Sequence, residues 1–196
     1  MSECRAVVFD FFGVISSEVA PFWFEKYFPK EEARNLKEKY ITPADLGKVS
    51  DTELFVSLGA LVNKTSEEVN EEFQSFIKLN TDVVALIKSL KSFYKLGICS
   101  NSFPNFVRPI LESQKLAHLF DAVVISSEYH IKKPDERMYA LILEKLSVRA
   151  QETIFIDDNP VYVEEAEHMG MKGVLFTGFQ ELTSALSKFG VRASLS

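Results

Sequence analysis

Asp10 is the one charged side chain in the run Ala6-Val7-Val8-Phe9-Asp10-Phe11-Phe12-Gly13-Val14-Ile15. Further along, Ser100-Asn101 closes the apolar run Leu96-Gly97-Ile98-Cys99, Lys132-Lys133-Pro134-Asp135 follows Ser126-Ser127-Glu128, and Asp157-Asp158 closes Thr153-Ile154-Phe155-Ile156. Carboxylate oxygens are the donors that Mg²⁺ prefers, a hydroxyl can donate to a phosphoryl oxygen, and a lysine can steady both an attacking carboxylate and the group it attacks. Each residue alone has a plainer reading. Asp10 and Ser100 can form turns, Lys133 can be a solvated lysine, and Asp157-Asp158 can be an acidic cap ahead of a helix. Their shared placement, at or near the polar end of an apolar segment, is what suggests a site.

Placing these groups together requires a particular scaffold. An unbroken apolar run ending in a carboxylate and a glycine reads as a strand buried on both faces, with Gly13 allowing a sharp turn beyond the acid. From Asn80 onward helices and short apolar strands alternate. Helices are expected at 81–91 (capped by Thr81), 104–116 (Pro109 ending or kinking its first turn), 135–146 (opened by Pro134), 161–169 and 180–189. Strands are expected at 96–100, 122–126, 153–157 and 173–176. This alternation predicts an α/β fold, a doubly wound parallel sheet with helices on both faces, whose ligand crevice lies outside the carboxyl ends of the strands. Residues 16–79 read instead as all helix, beginning with an apolar helix over 16–28 that carries Trp23. Ser50-Asp51-Thr52-Glu53 and Thr65-Ser66-Glu67-Glu68 are capping boxes that start helices at Asp51 and Ser66. The expected organisation is therefore a core of 1–15 and 80–196 with a helical insertion at 16–79.

The four motifs in this order resemble the haloacid dehalogenase-like (HAD) hydrolase superfamily. Asp10 matches its nucleophile motif, Ser100 its hydroxyl motif, Lys133 its lysine motif and Asp157-Asp158 its acidic motif. The resemblance spans essentially the whole chain and implies a HAD-like Rossmannoid core with a small cap made from the helical insertion. It implies Asp10 as nucleophile and an Mg²⁺ held by Asp10, Asp158 and the main-chain carbonyl of Phe12, with Asp157 orienting a group around the ion. Ser100, Asn101 and Lys133 are then expected at the substrate phosphate, and the reaction is expected to pass through an aspartyl-phosphate.

Phe12 departs from that pattern. Most phosphatases of the superfamily carry there a second aspartate that protonates the leaving group and then activates water, and phenylalanine does neither. Three functions follow. The first is an Mg²⁺-dependent phosphatase of a small phosphorylated metabolite, favouring good leaving groups such as those of sugar 1-phosphates, acyl phosphates or aryl phosphates. The second is a metal-independent 2-haloacid dehalogenase, whose halide needs no proton to leave. The third is a catalytically weak member retained for binding. The acidic pair favours the first, because idle carboxylates beside Asp10 would blunt it as a nucleophile. His130 and Tyr162 also depart from the pattern. His130 is expected to pack as a loop residue, Trp23 to lie in the core of the insertion, and Ser16 and Ser17 are placed to face substrate.

Composition narrows the partners. The 196 residues are 46% hydrophobic and 26% charged with a net charge of −6, which suits a globular protein and disfavours general binding to nucleic acid or an anionic membrane. No basic segment with an apolar stretch precedes the first strand, no run approaches membrane-spanning length, and a cytoplasmic location is expected. Cys4 and Cys99 lack metal-ligand spacing and are expected to be reduced.

Overall fold

The structure, a computed structural model, describes residues 3–192; positions 1, 2 and 193–196 of the expected core lie outside the described residues. In chain order it contains β1 (Ala6–Phe9), α1 (Ala20–Tyr27), α2 (Lys30–Asp45), α3 (Asp51–Val62), α4 (Ser66–Ser75), α5 (Thr81–Leu90), β2 (Lys95–Ser100) and α6 (Pro104–Ser113). There follow β3 (Ala122–Ile125), α7 (Ser126–Tyr129), α8 (Glu136–Leu146), β4 (Thr153–Asp157), α9 (Pro160–His168), β5 (Lys172–Leu175) and α10 (Phe179–Lys188). The strands form one parallel sheet in the order β3-β2-β1-β4-β5.

The all-apolar sequence of β1 is explained by its two covered faces. Val7 and Phe9 join a cluster with Leu86 and Leu90 of α5, Val107 of α6 and Leu182 of α10. Ala6 and Val8 point the other way, into Met138 and Tyr139 of α8 and Ala166 of α9. All four β1 side chains are fully buried. The strand order reverses at β1, since β2 and β3 lie to one side and β4 and β5 to the other. Such a switch point opens a crevice at the carboxyl ends of the strands.

Helices α1 to α4 share a separate apolar cluster around Trp23, Phe24, Leu58 and Phe73. Trp23 is fully buried in it, as expected. Both capping boxes form: Ser50 Oγ accepts from Glu53 N and Thr65 Oγ1 from Glu68 N, each at 3.2 Å, and each glutamate returns a bond to the cap backbone. The chain enters and leaves this group side by side, with Ser16 bridging Leu79 and Ser17 N donating to Lys78 O at 2.9 Å.

Several boundaries differ from expectation for local reasons. Residues 16–19 are not helical, because this stretch is pinned in the two bridges that Ser16 makes to Phe12 and Leu79. Asn80, not Thr81, caps α5, its Oδ1 accepting from Val83 N. Pro109 neither ends nor interrupts α6; the helix instead stops at Ser113, where Lys115 adopts φ of 55°. Pro134 does not open α8, since Asp135 is the cap that accepts from Arg137 N and the helix begins at Glu136.

Glu72 ties the helical group together. Its carboxylate accepts from Trp23 Nε1 at 2.8 Å, Tyr27 Oη at 2.7 Å, and Lys26 and Lys64 Nζ at 2.8 Å each. Burial pushes its pKa up, but these four donors outweigh it and hold the group at about 2, below the ordinary 4.5. A depressed carboxylate stabilises the fold above its unfolded pKa and loses that contribution as pH falls toward the folded value. Glu72→Ala should therefore cost ~2–4 kcal/mol in urea unfolding at pH 7. The difference from wild type should shrink between about pH 4.5 and 2.

Candidate active site

The site begins with strand register. Phe9 pairs with Ile98 of β2 and Ile156 of β4, and Asp10 N donates to Ile156 O at 2.8 Å, so the pairing carries one residue further. Asp10 is thereby set level with Asp157 on the neighbouring strand. Carboxylate oxygens of Asp10, Asp157 and Asp158 lie within 4.8 Å of one another. Gly13 makes this approach possible. Its φ of +89° favours glycine, and a Cβ there would overlap the Asp158 carboxylate.

Lys133 enters from the loop before α8 and is fully buried. Its Nζ lies 2.5 Å from Asp157 Oδ2 and 3.1 Å from Asp10 Oδ1, over the rings of Tyr162 and Phe155. Burial opposes its charge, but Asp10 and Asp157 more than compensate and raise its pKa well above 10.5, so it is an ammonium at neutral pH. Asn101 sets the depth of this lysine: Oδ1 accepts from Lys133 N at 2.8 Å and Nδ2 donates to Lys133 O at 3.1 Å. The Asn101 amide, expected on substrate, is thus engaged with the backbone of Lys133.

One oxygen of Asp10 is held and the other is not. Oδ1 accepts from Phe11 N at 2.7 Å and faces Lys133, while Oδ2 accepts no hydrogen bond from the described residues. Asp157 is anchored at both ends, Oδ1 accepting from Asn159 N at 2.9 Å and Oδ2 facing Lys133. Burial raises the pKa of Asp10 well above 3.8; Lys133 lowers it, and Asp157 and Asp158 raise it further. Burial likewise lifts Asp158 to about 6, with Glu18 and Asp157 adding to the effect. Three acids facing one lysine leave excess negative charge, and an all-oxygen donor set of this kind suits a hard divalent cation.

A cavity of about 400 Å³ opens over this edge. Asp10, Phe12, Asn101, Asp158 and Tyr162 line it from the sheet side, and Lys37, Thr42 and Asp45 of α2 line the far wall. Lys133, Asp157 and Ser100 are buried behind the sheet-side wall, and Ser100 Oγ is without a hydrogen-bond partner among the described residues. Phe12 is half-buried, its ring against Phe11 and Phe106.

The structure thus brings together Asp10, Asp157, Asp158 and Lys133, with Ser100 and Asn101 at the neighbouring strand end. Ser17 is used otherwise, its hydroxyl donating to Phe76 O and accepting from Lys78 N, and Ser16 is buried; neither lines the cavity. His130 packs as expected, Nδ1 lying 3.1 Å from Leu46 O. Cys99 is buried and its thiol pushed up to about 12, the behaviour of a core residue. Sequence reasoning missed Glu18, Asp45 and Lys132 in the cavity wall. The spacing of Ile41 and Asp45 was the available signal, because it sets a carboxylate on the buried face of α2. Among the described residues no helix is long and apolar enough to cross a membrane.

Comparison with known proteins places this geometry. The chain is 26% identical over 187 residues to a phosphorylated carbohydrates phosphatase of Thermotoga maritima, covering 87% of this chain and 83% of that one. It is 23% identical over 180 residues to (S)-2-haloacid dehalogenase 4A of Burkholderia cepacia, covering 81% and 77%. Its fold superposes with a TM-score of 0.72, at 17% identity, on a HAD family enzyme of Bacteroides thetaiotaomicron solved in complex with magnesium and inorganic phosphate, covering 88% and 93%. Residues 7–176 match the family described as haloacid dehalogenase-like hydrolase, a span running from β1 past the end of β5, and the chain belongs to that family.

Proposed function

We propose that the protein is an Mg²⁺-dependent phosphatase that hydrolyses a small phosphorylated metabolite through Asp10. The observation that carries this reading is the packing of Asp10, Asp157 and Asp158 within 4.8 Å around a single lysine. The phosphatase among the relatives and the magnesium and phosphate bound by the Bacteroides thetaiotaomicron enzyme support it. Asp10, Asp158 and the carbonyl of Phe12 would hold the ion, with Asp157 fixed beside them. When bound, the ion neutralises the excess carboxylate charge and so lets an anionic phosphoryl group approach Asp10.

The residues then divide the work. Asp10 Oδ2, free of donors among the described residues, forms the bond to phosphorus as the bond to the leaving oxygen breaks, giving an aspartyl-phosphate. Lys133 holds the opposite oxygen and faces the charge that develops on the transferring group. The unpartnered Ser100 hydroxyl donates to a non-bridging oxygen. Water then attacks phosphorus, releasing inorganic phosphate and restoring the Asp10 carboxylate. Because Phe12 supplies no proton, the leaving oxygen departs as an anion and takes its proton from water, which favours leaving groups of low pKa. Residues 16–79 act as a cap, hinged where Ser16 and Ser17 meet Lys78 and Leu79, which closes over the cavity and excludes water. Such a substrate accords with a cytoplasmic location, and the net charge of −6 disfavours general binding to nucleic acid.

The dehalogenase reading has two supports, the dehalogenase among the relatives and the aromatic residue at position 12. It leaves the acidic pair without a task. Assaying p-nitrophenyl phosphate and 2-chloropropionate with and without Mg²⁺ separates the two. Phosphate release that requires Mg²⁺ is the expected result, and metal-independent chloride release overturns it. Absence of both points to a binding protein.

A further inference from the structure

The far wall of the cavity holds polar groups that the hydrolysis above does not use. Asp45, the last residue of α2, is 8% exposed and lines the cavity shared with Asp10 and Asp158. Its carboxylate accepts no hydrogen bond from the described residues and its oxygens are not sealed from the cavity, so they are open to a donor that a ligand brings. Beside it, Lys132 Nζ donates to Thr42 Oγ1 at 2.9 Å, and the Thr42 hydroxyl donates to Glu38 Oε1 at 2.8 Å. Burial lifts the Asp45 carboxyl to about 7; Lys132 and Lys37 pull it down, while Glu18 and Glu38 push it up. Near neutral pH it can therefore both accept and donate a hydrogen bond.

We propose that Asp45, with Thr42 and Lys132 beside it, binds a hydroxyl of the substrate's leaving group, so that the preferred substrate is a sugar 1-phosphate, whose anomeric oxygen leaves more readily than that of a simple alkyl phosphate. This deepens the phosphatase reading and rests on it. Charge on the wall decides among substrate classes. Glu18, Glu38 and Asp45 stand against Lys37 and Lys132, so the wall carries no large excess of either sign with which to draw in a second anion, as in a phosphocarboxylate, or an ammonium group. A neutral hydroxyl satisfies both kinds of partner. The volume, about 400 Å³, lies within the range of small-molecule sites.

The test compares wild type, Asp45→Asn and Asp45→Ala on glucose 1-phosphate, p-nitrophenyl phosphate and phosphoglycolate, with circular dichroism to confirm folding. In Asp45→Ala, kcat/KM for glucose 1-phosphate should fall ~10–100-fold, mostly through KM, because a buried hydrogen-bonding group loses its partner. Turnover of p-nitrophenyl phosphate, which has no hydroxyl to read, should change less than ~3-fold. Asp45→Asn, which removes the charge with little change of shape, should narrow the preference for glucose 1-phosphate over phosphoglycolate. Equal losses on the sugar and aryl substrates, or no loss on either, overturn the proposal. Should wild type hydrolyse none of the three, the phosphatase reading fails, and the subsite is then judged by calorimetric binding of glucose 1-phosphate to Asp10→Asn and to the Asp10→Asn, Asp45→Ala double variant. Binding lost only in the double variant supports the subsite, and equal binding or none in either overturns it.

Discussion

Asp10→Asn should lower kcat by ~10⁴–10⁶-fold while leaving the fold intact. The amide has nearly the shape of the carboxylate and can keep its oxygen toward Phe11 N, which donates to Asp10 Oδ1 at 2.7 Å. It has no charged oxygen with which to attack phosphorus. Stability should hold or rise. Burial and the neighbouring Asp157 and Asp158 raise the folded pKa of Asp10 despite Lys133, so ionising it at neutral pH works against the folded state when no metal is bound. A neutral side chain removes that penalty, and Lys133 retains Asp157 as its partner at 2.5 Å. Steady-state kinetics and thermal unfolding in EDTA read these two consequences separately, and intact-mass analysis should find a phosphorylated enzyme in wild type and none in the variant. A variant that keeps a tenth of wild-type activity would place the nucleophile elsewhere.

The second large effect concerns the missing proton donor. Across a series of phosphate monoesters, kcat/KM should fall steeply as leaving-group pKa rises, because the ring of Phe12, packed against Phe11 and Phe106, cannot protonate the departing oxygen. Loss of a general acid typically costs ~10²–10⁴-fold, so simple alkyl phosphates should lag aryl phosphates by at least that much. Phe12→Asp puts a carboxylate at the cavity wall and should flatten the slope. The same absence leaves water without a base at the second step, so a burst of alcohol or phenol should precede the steady state as aspartyl-phosphate accumulates. A flat wild-type series would show that another group supplies the proton.

Much of this site could be read in the sequence because short buried parallel strands announce themselves as apolar runs, and the polar residue ending each run must lie at one sheet edge. Asp10, Ser100 and Asp157 were legible for that reason, and the two capping boxes were legible because their bonds are local. What escaped depended on contacts distant in sequence. The second role of Asn101, which lines the cavity while its amide bonds the backbone of Lys133, is one such contact. The helix expected from Ser16 is absent until Ala20 because Ser16 is drawn into bridges with Phe12 and Leu79. Asp45 is one of many charges in α2, set apart locally only by its spacing from Ile41. Only the packing of that helix over the sheet edge makes it a buried carboxylate facing the same cavity as Asp10.

Whether Asp10 and Asp158 hold a divalent cation, with Asp157 fixed beside it, is read most directly by titration calorimetry of Mg²⁺ into the wild-type protein and Asp158→Asn. One ion per wild-type chain, with affinity at least ~10-fold weaker in the variant, is the predicted result. A wild-type protein that takes up no Mg²⁺, or a variant that binds it equally well, would contradict the account.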